Sequence, residues 1–170
     1  MVNVRKEEPE DATAITRINA EAFAGPGEAR LIESLRQNEK ILFSFVAILE
    51  EQLVGHILFS PMNIITAVGK THLAVGLGPV AVLPDYQGQG IGSDLCRTGL
   101  AMCRDSGHEL VLVLGHPTYY QRFGFRPSSL FNISCAYDVP ADAFMVLELQ
   151  EGALNRVSGV AHYHPEFDAV

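Results

Sequence analysis

The sequence predicts an α+β fold, a mixed, mainly antiparallel central sheet with flanking helices and one central βαβ unit. Three observations carry this. Apolar, strand-like runs separated by turn signals recur through the first half of the chain, the pattern of an antiparallel meander. At 77–92 such a run gives way to a glycine-spaced loop and then to helical patterning. A second continuous apolar strand follows about 18 residues after the loop, the length of one βαβ crossover. Further strand-like runs follow that unit, so strands stand on both sides of it.

Taken in order, residues 2–5 alternate as a short strand. Glu8-Pro-Glu-Asp11 then opens a helix, with acids in its first turn and proline near its start. Ile15, Ile18 and Ala22 fall at helical spacing, and Gly25-Pro-Gly27 ends the run. Residues 28–36 read as a second helix with Leu31, Ile32 and Leu35 inward. Residues 42–49, 53–60 and 62–67 read as strands, with hairpin turns at 50–52 and 68–70. Residues 72–82 are the strand that feeds the glycine loop. His56 and His72 lie inside strands and read as satisfied structural histidines. In the helix at 93–106, Leu95, Met102 and Cys103 are placed to face the sheet, and Gly99 points to close packing, since glycine costs about 1 kcal/mol against alanine there. Residues 110–114 lack polar alternation, as a parallel strand covered on both faces should. Pro117 suits the first turn of a short helix and Gly124 its left-handed end. Beyond Phe125 the pattern weakens. A loop with a short strand at 132–136, a strand at 143–149, a turn at Gly152, a final edge strand at 157–163 and a tail at 164–168 are expected.

The chain of 170 residues is long enough for one full core, so a single domain over 1–170 is expected, with a main part at about 2–127 and a C-terminal strand extension at about 128–170. A formal net charge of −8 argues against nucleic acid, whose binding is dominated by phosphate neutralisation, and against an anionic membrane surface. The start has no apolar run for a signal peptide, and no stretch approaches a membrane span, so the cytoplasm is the expected location. Cys96, Cys103 and Cys135 show no metal-ligand or redox spacing and read as core filling; no metal is expected.

The loop Gln87-Gly-Gln-Gly-Ile-Gly92 follows the buried-strand run Val80-Ala81-Val82. Glycines let backbone approach a ligand, and the first amides of the following helix lack intrahelical partners at its positive end, so the loop is a candidate phosphate site. A Walker loop would need a lysine that is not here. A dinucleotide fingerprint would need its third glycine one residue later, and an acid at the end of the next strand, whereas Glu109 stands at its start. Gln87-x-x-Gly90-x-Gly92 resembles instead the pyrophosphate loop of the GNAT superfamily of acetyl-CoA-dependent N-acetyltransferases. Pro117-Thr-Tyr-Tyr-Gln-Arg-Phe-Gly-Phe125 resembles that superfamily's later signature, in the right order and separation. The Gly115-x-Pro-x-Tyr-Tyr120 stretch and the extended tail resemble most the bacterial YhbS-like branch.

The resemblance implies the GNAT fold and an acetyl-CoA cosubstrate. It implies that main-chain groups of Val80, Ala81 and Val82 meet the pantetheine arm. Gln87, Gly88, Gln89, Gly90, Ile91, Gly92 and Ser93 would take the pyrophosphate. The acceptor would be a small-molecule or peptide primary amine attacking directly; a homodimer is left open. Tyr120 aligns with the tyrosine that protonates the leaving thiolate, and a phenol with an ordinary pKa near 10 can donate at neutral pH. The other role for Tyr120 is an aromatic core residue. The superfamily places its first helix pair beside the acceptor, which makes Glu28 a candidate amine contact as well as a helix N-terminal charge. The sequence departs from members with an acid on the strand before the loop, for 71–82 holds no Asp or Glu. His116, at the end of the strand 110–115, is therefore the candidate base, or else it caps the turn before Pro117; resembling sequences often carry Asp there. Imidazole is the side chain that titrates nearest neutrality. A non-catalytic acyl-CoA-binding or sensing domain is the alternative function.

Overall fold

The computed structural model describes residues 1–170. The strands are β1 (Asn3–Lys6), β2 (Phe43–Leu49), β3 (Gln52–Ile65), β4 (Thr71–Val82), β5 (Leu110–Leu114), β6 (Arg126–Pro127), β7 (Ile133–Cys135), β8 (Phe144–Glu148) and β9 (Gly159–His162). The helices are α1 (Ala12–Ala22), α2 (Gly27–Gln37), α3 (Ile91–Asp105) and α4 (Pro117–Tyr120). The nine strands form one sheet of order β1-β2-β3-β4-β5-β8-β6, with β9 also on β3 and β7 on β9. The pairs β1–β2, β2–β3, β3–β9, β5–β8 and β6–β8 are antiparallel. The pairs β4–β5 and β7–β9 are parallel. This is the mixed, mainly antiparallel arrangement expected from the sequence. The residues resolve into two compact units, one of 1–60, 78–101 and 165–170, the other of 61–77 and 102–164.

In the first unit, the apolar faces of α1 and α2 meet the sheet through Ile15, Leu31, Ile32, Leu35, Val46 and Leu58, all buried. Burying a side chain of this size contributes about 1.5–3 kcal/mol. Gly99 of α3 lies so close to β3 that a Cβ there would be 2.2 Å from the Phe59 ring, which is the reason for glycine in mid-helix. The β2–β3 turn puts Glu50 and Glu51 at φ 50° and 66°, the left-handed pair a tight hairpin demands. The tail is folded: Pro165–Ala169 is a 3-10 turn, Phe167 packs into the helix core, and the Glu166 carboxylate accepts hydrogen bonds from Asn38 Nδ2 (2.7 Å) and Ser34 Oγ.

His56 is fully buried in β3, with Asn19 Nδ2 3.1 Å from its Nδ1 and Ser44 Oγ 2.9 Å from its Nε2. Ser44 Oγ donates in turn to Glu7, which is paired with Arg36. Burial pushes the His56 imidazole down to about 4, against the pull of Glu7 and with the push of Arg36. Burial would raise the Glu7 carboxyl, but hydrogen bonds from Arg36 and Ser44 hold it below its ordinary value. An unfolded histidine titrates near 6.5, so the unfolded chain takes up the proton first. Stability is then full above about pH 6.5 and falls as pH drops toward 4, by on the order of 3 kcal/mol from this group. Urea midpoints measured from pH 7 to 4.5 should decline accordingly, and His56→Gln should flatten that decline. An equal slope in the variant would remove His56 as the cause.

The second unit has its own core of Met62, Ile64, Ala74, Leu110, Leu112, Ile133, Phe144, Val146 and Ala161. Two expectations need correction. Strands at 53–60 and 62–67 are a single strand, β3, because Pro61 falls where its missing N–H does no harm: pairing with β2 ends at Phe59 and pairing with β9 begins at Asn63. The strand expected at the edge, β9, is paired on both sides, with β3 and β7.

Candidate active site

The glycine loop is pinned at its start. Leu83, buried, donates its N–H to Val54 O of β3 (2.8 Å), and Tyr86 Oη donates to Gln52 Oε1 (3.2 Å). Val80 and Val82 are half-buried and Ala81 is buried on β4. The Gln87 side chain turns back, its Nε2 donating to Val82 O at 2.9 Å. It thereby braces the strand end against the loop.

Gln87, Gly88, Gln89 and Gly90 are exposed. Gly88 and Gly90 have φ 77° and 84°, and a Cβ at either would meet nothing within 4 Å. Both glycines therefore hold a conformation that L side chains resist, with open space where a side chain would stand. The ladder of α3 opens with Asp94 N–H donating to Gly90 O (3.0 Å), so the amides of Ile91 and Gly92 precede the helical ladder at its positive end. Ile91 and Ser93 are buried and anchor this end. The missing side chain at Gly55 lets Ile91 and Leu95 approach: a Cβ there would be 3.2 Å from Ile91 Cγ2 and 3.0 Å from Leu95 Cδ1. Amides that precede a helical ladder, beside glycines without side chains, can hold an anion.

Tyr120 and His116 lie together at the end of β5. His116 is exposed and makes no side-chain cap bond; its carbonyl accepts the amides of Tyr119 (3.1 Å) and Tyr120 (3.2 Å). The capping role therefore belongs to its backbone. Tyr120 is half-buried, edge-on to Tyr119 with ring centroids 5.0 Å apart and to buried Phe125 at 5.8 Å. A Cβ at Gly115 would sit 2.5 Å from the Tyr120 ring, so this glycine sets where the phenol lies. Gly124 closes the turn at φ 95°. Glu28 occupies the first turn of α2. No group of three or more His, Cys, Asp or Glu is placed to hold a metal ion.

The positioning roles of Gly55 and Gly115 escaped the sequence reading. A lone glycine in a strand signals close approach, but only the fold names the neighbour.

Residues 3–128 match the family model described as "Acetyltransferase (GNAT) domain". The N-acetyltransferase YhbS of Escherichia coli K12 is 34% identical over 166 residues, covering 97% of this chain and 98% of its own. The N-acetyltransferase YjhQ of the same organism is 40% identical over 119 residues, 69% of this chain and 65% of its own. The crystal structure of E. coli YhbS in complex with CoA superposes with a TM-score of 0.92 at 33% identity, over 98% of this chain and 92% of that one. A GNAT family acetyltransferase from Brucella melitensis in complex with acetyl-CoA gives 0.82 at 34% identity, over 99% of both chains.

Proposed function

Because the chain belongs to the GNAT acetyltransferase family, we propose that it moves an acetyl group from acetyl-CoA to a primary amine of a small molecule or peptide by direct attack. The observation that carries this reading is the open cradle at Gly88 and Gly90 before the N-terminus of α3. The cradle fits a pyrophosphate: it offers backbone amides, positive helix-end potential and no side chain to obstruct. Residues Gln87 to Ser93 would hold that group, and the backbone at Val80, Ala81 and Val82 would guide the pantetheine arm. Acetyl-CoA supplies the thioester, whose carbonyl carbon forms the new C–N bond as the C–S bond breaks.

Three tasks remain for the chain's own residues. Orientation of the reacting groups is worth several kcal/mol, up to about 7–11 in favourable cases. Tyr120 donates its phenolic proton to the departing thiolate. His116 accepts the proton that the amine must lose, directly or through a water. Direct attack is also supported by the thiols. Cys96 and Cys103 are fully buried and Cys135 is half-buried; burial pushes the Cys103 thiol up to about 12 and raises the Cys135 thiol as well, which disfavours the thiolate an acyl-enzyme would need. We further take residues 1–170 as one catalytic domain acting in the cytoplasm; no helix is long and apolar enough to cross a membrane.

The test is CoA release from acetyl-CoA with a panel of primary amines and with a metabolite extract. Release that depends on an amine, with the acetylated product identified by mass, is expected. Binding of acetyl-CoA without acetylation of any amine would make the chain a non-catalytic acyl-CoA-binding domain.

The role of His116 has its own signature. His116→Ala should lower kcat/KM for the amine, by about 10²-fold if general base catalysis is lost, and leave acetyl-CoA affinity unchanged. The acidic limb of the pH–rate profile should vanish with it. Retention of that limb in the variant would return His116 to a backbone role alone.

A further inference from the structure

We infer that a cavity in the C-terminal part of the chain is the acceptor pocket, and that it takes a cationic amine carried on a flat aromatic body; this rests on the acetyltransferase reading above. The cavity measures about 550 Å³, within the range that small-molecule sites occupy. Its walls include Asn132, Ser134 and Cys135 at β7, Tyr137 and Asp138 in the following segment, and Phe144 of β8. The lining begins at Ser129, just past the 3–128 match, so the pocket is separate in sequence from the cofactor loop.

Charge and shape narrow the occupant. Asp138 is the sole charged side chain of the lining, and Lys, Arg and His are absent from it, so the cavity favours a cation. The aromatic wall is held in place. Tyr137 stacks on Tyr163, ring centroids 5.7 Å apart and planes 9° from parallel, and Phe144 meets Tyr163 edge-on at 6.5 Å. Tyr163 is itself fixed against β4, where a Cβ at Gly76 would be 3.5 Å from its ring. A rigid ring offers a flat ligand stacking area, and a cation an electrostatically favourable face, without much ordering cost. The pocket also adjoins the end of β5: Phe144 is paired with Leu114, and Gly115 N–H, one residue before His116, donates to Ala143 O (2.9 Å). Burial chiefly raises the Tyr163 phenol, and Cys135, Tyr137 and Tyr120 push it the same way.

The full chain, labelled with nitrogen-15, is titrated with phenethylamine and with 2-phenylethanol, its uncharged counterpart. Amide shifts should cluster at Ser134, Tyr137 and Asp138, and the amine should bind about fivefold more tightly than the alcohol, as a rim ion pair allows. Asp138→Asn should erase that preference while leaving the alcohol's affinity. Tyr137→Ala should weaken both ligands by up to about tenfold. In turnover, Asp138→Asn should raise KM for phenethylamine with kcat and acetyl-CoA affinity unchanged. Shifts confined to other surfaces, equal affinity for the two ligands, or a preference that survives Asp138→Asn would each overturn the pocket assignment. Cavity binding with no acetylation of any amine would instead overturn the acetyltransferase reading and leave a cationic-amine site.

Discussion

Replacing Gly90 with valine will raise the dissociation constant for acetyl-CoA by roughly 10- to 100-fold, the equivalent of about 1.4–2.8 kcal/mol. Two causes act together. Gly90 sits at φ 84°, where a β-branched residue is strained, so the loop will shift to relieve it. The added isopropyl group will also occupy the open space beside Gly90, where the proposed pyrophosphate would approach. Nothing in the protein lies within 4 Å of the new Cβ, so the fold should persist. Gly69→Val is the control. Gly69 has φ 80°, equally open surroundings, and a place in the turn before β4, so it carries similar strain without touching the loop. Calorimetry should show weakened acetyl-CoA binding for Gly90→Val and unchanged binding for Gly69→Val. Wild-type affinity in a folded Gly90→Val protein would remove the phosphate site from this loop.

The second large effect is expected at Tyr120. Tyr120→Phe keeps the ring that packs on Tyr119 and Phe125 and over Gly115, so thermal stability should hold. It removes the hydroxyl, and with it the proton to be donated. Loss of a general acid typically costs on the order of 10²- to 10⁴-fold in rate. Single-turnover measurement of acetyl transfer isolates the chemical step from product release. A Tyr120→Phe enzyme with the wild-type single-turnover rate would leave Tyr120 as a core aromatic and transfer the acid role elsewhere. Because an amine with a good intrinsic nucleophile can still attack, residual turnover at the reduced rate is part of the expectation.

Much of the fold was legible because its signals are short-range. The strand–loop–helix at 77–105 is written in residues that neighbour one another, and α3 and β5 appear where the helical period and the apolar run predict them. The hairpin at 50–51, the short α4 and the left-handed Gly124 follow from turn and capping chemistry in the same way. His56 reads as a structural histidine from its apolar strand, and the buried bonds to Asn19 and Ser44 bear this out. The residues that hold it, Glu7 and Arg36 included, are scattered along the chain and gave no local signal.

What the sequence determined by itself is the α+β arrangement, the glycine-spaced loop before α3 and the tyrosine pair, since period, glycine spacing and helix ends are set within a few residues of one another. What only the tertiary structure decided depends on partners distant in the chain. Pro61 is tolerated inside β3 because β2 stops and β9 starts on either side of it. The final segment folds because Asn38 and Ser34 supply donors to Glu166. Tyr137, in the wall of the cavity at 129–144, is stacked on Tyr163, which is brought in after β9. Each requires closing a long loop before any contact rewards it, and no local periodicity records which distant residue will be there when it closes.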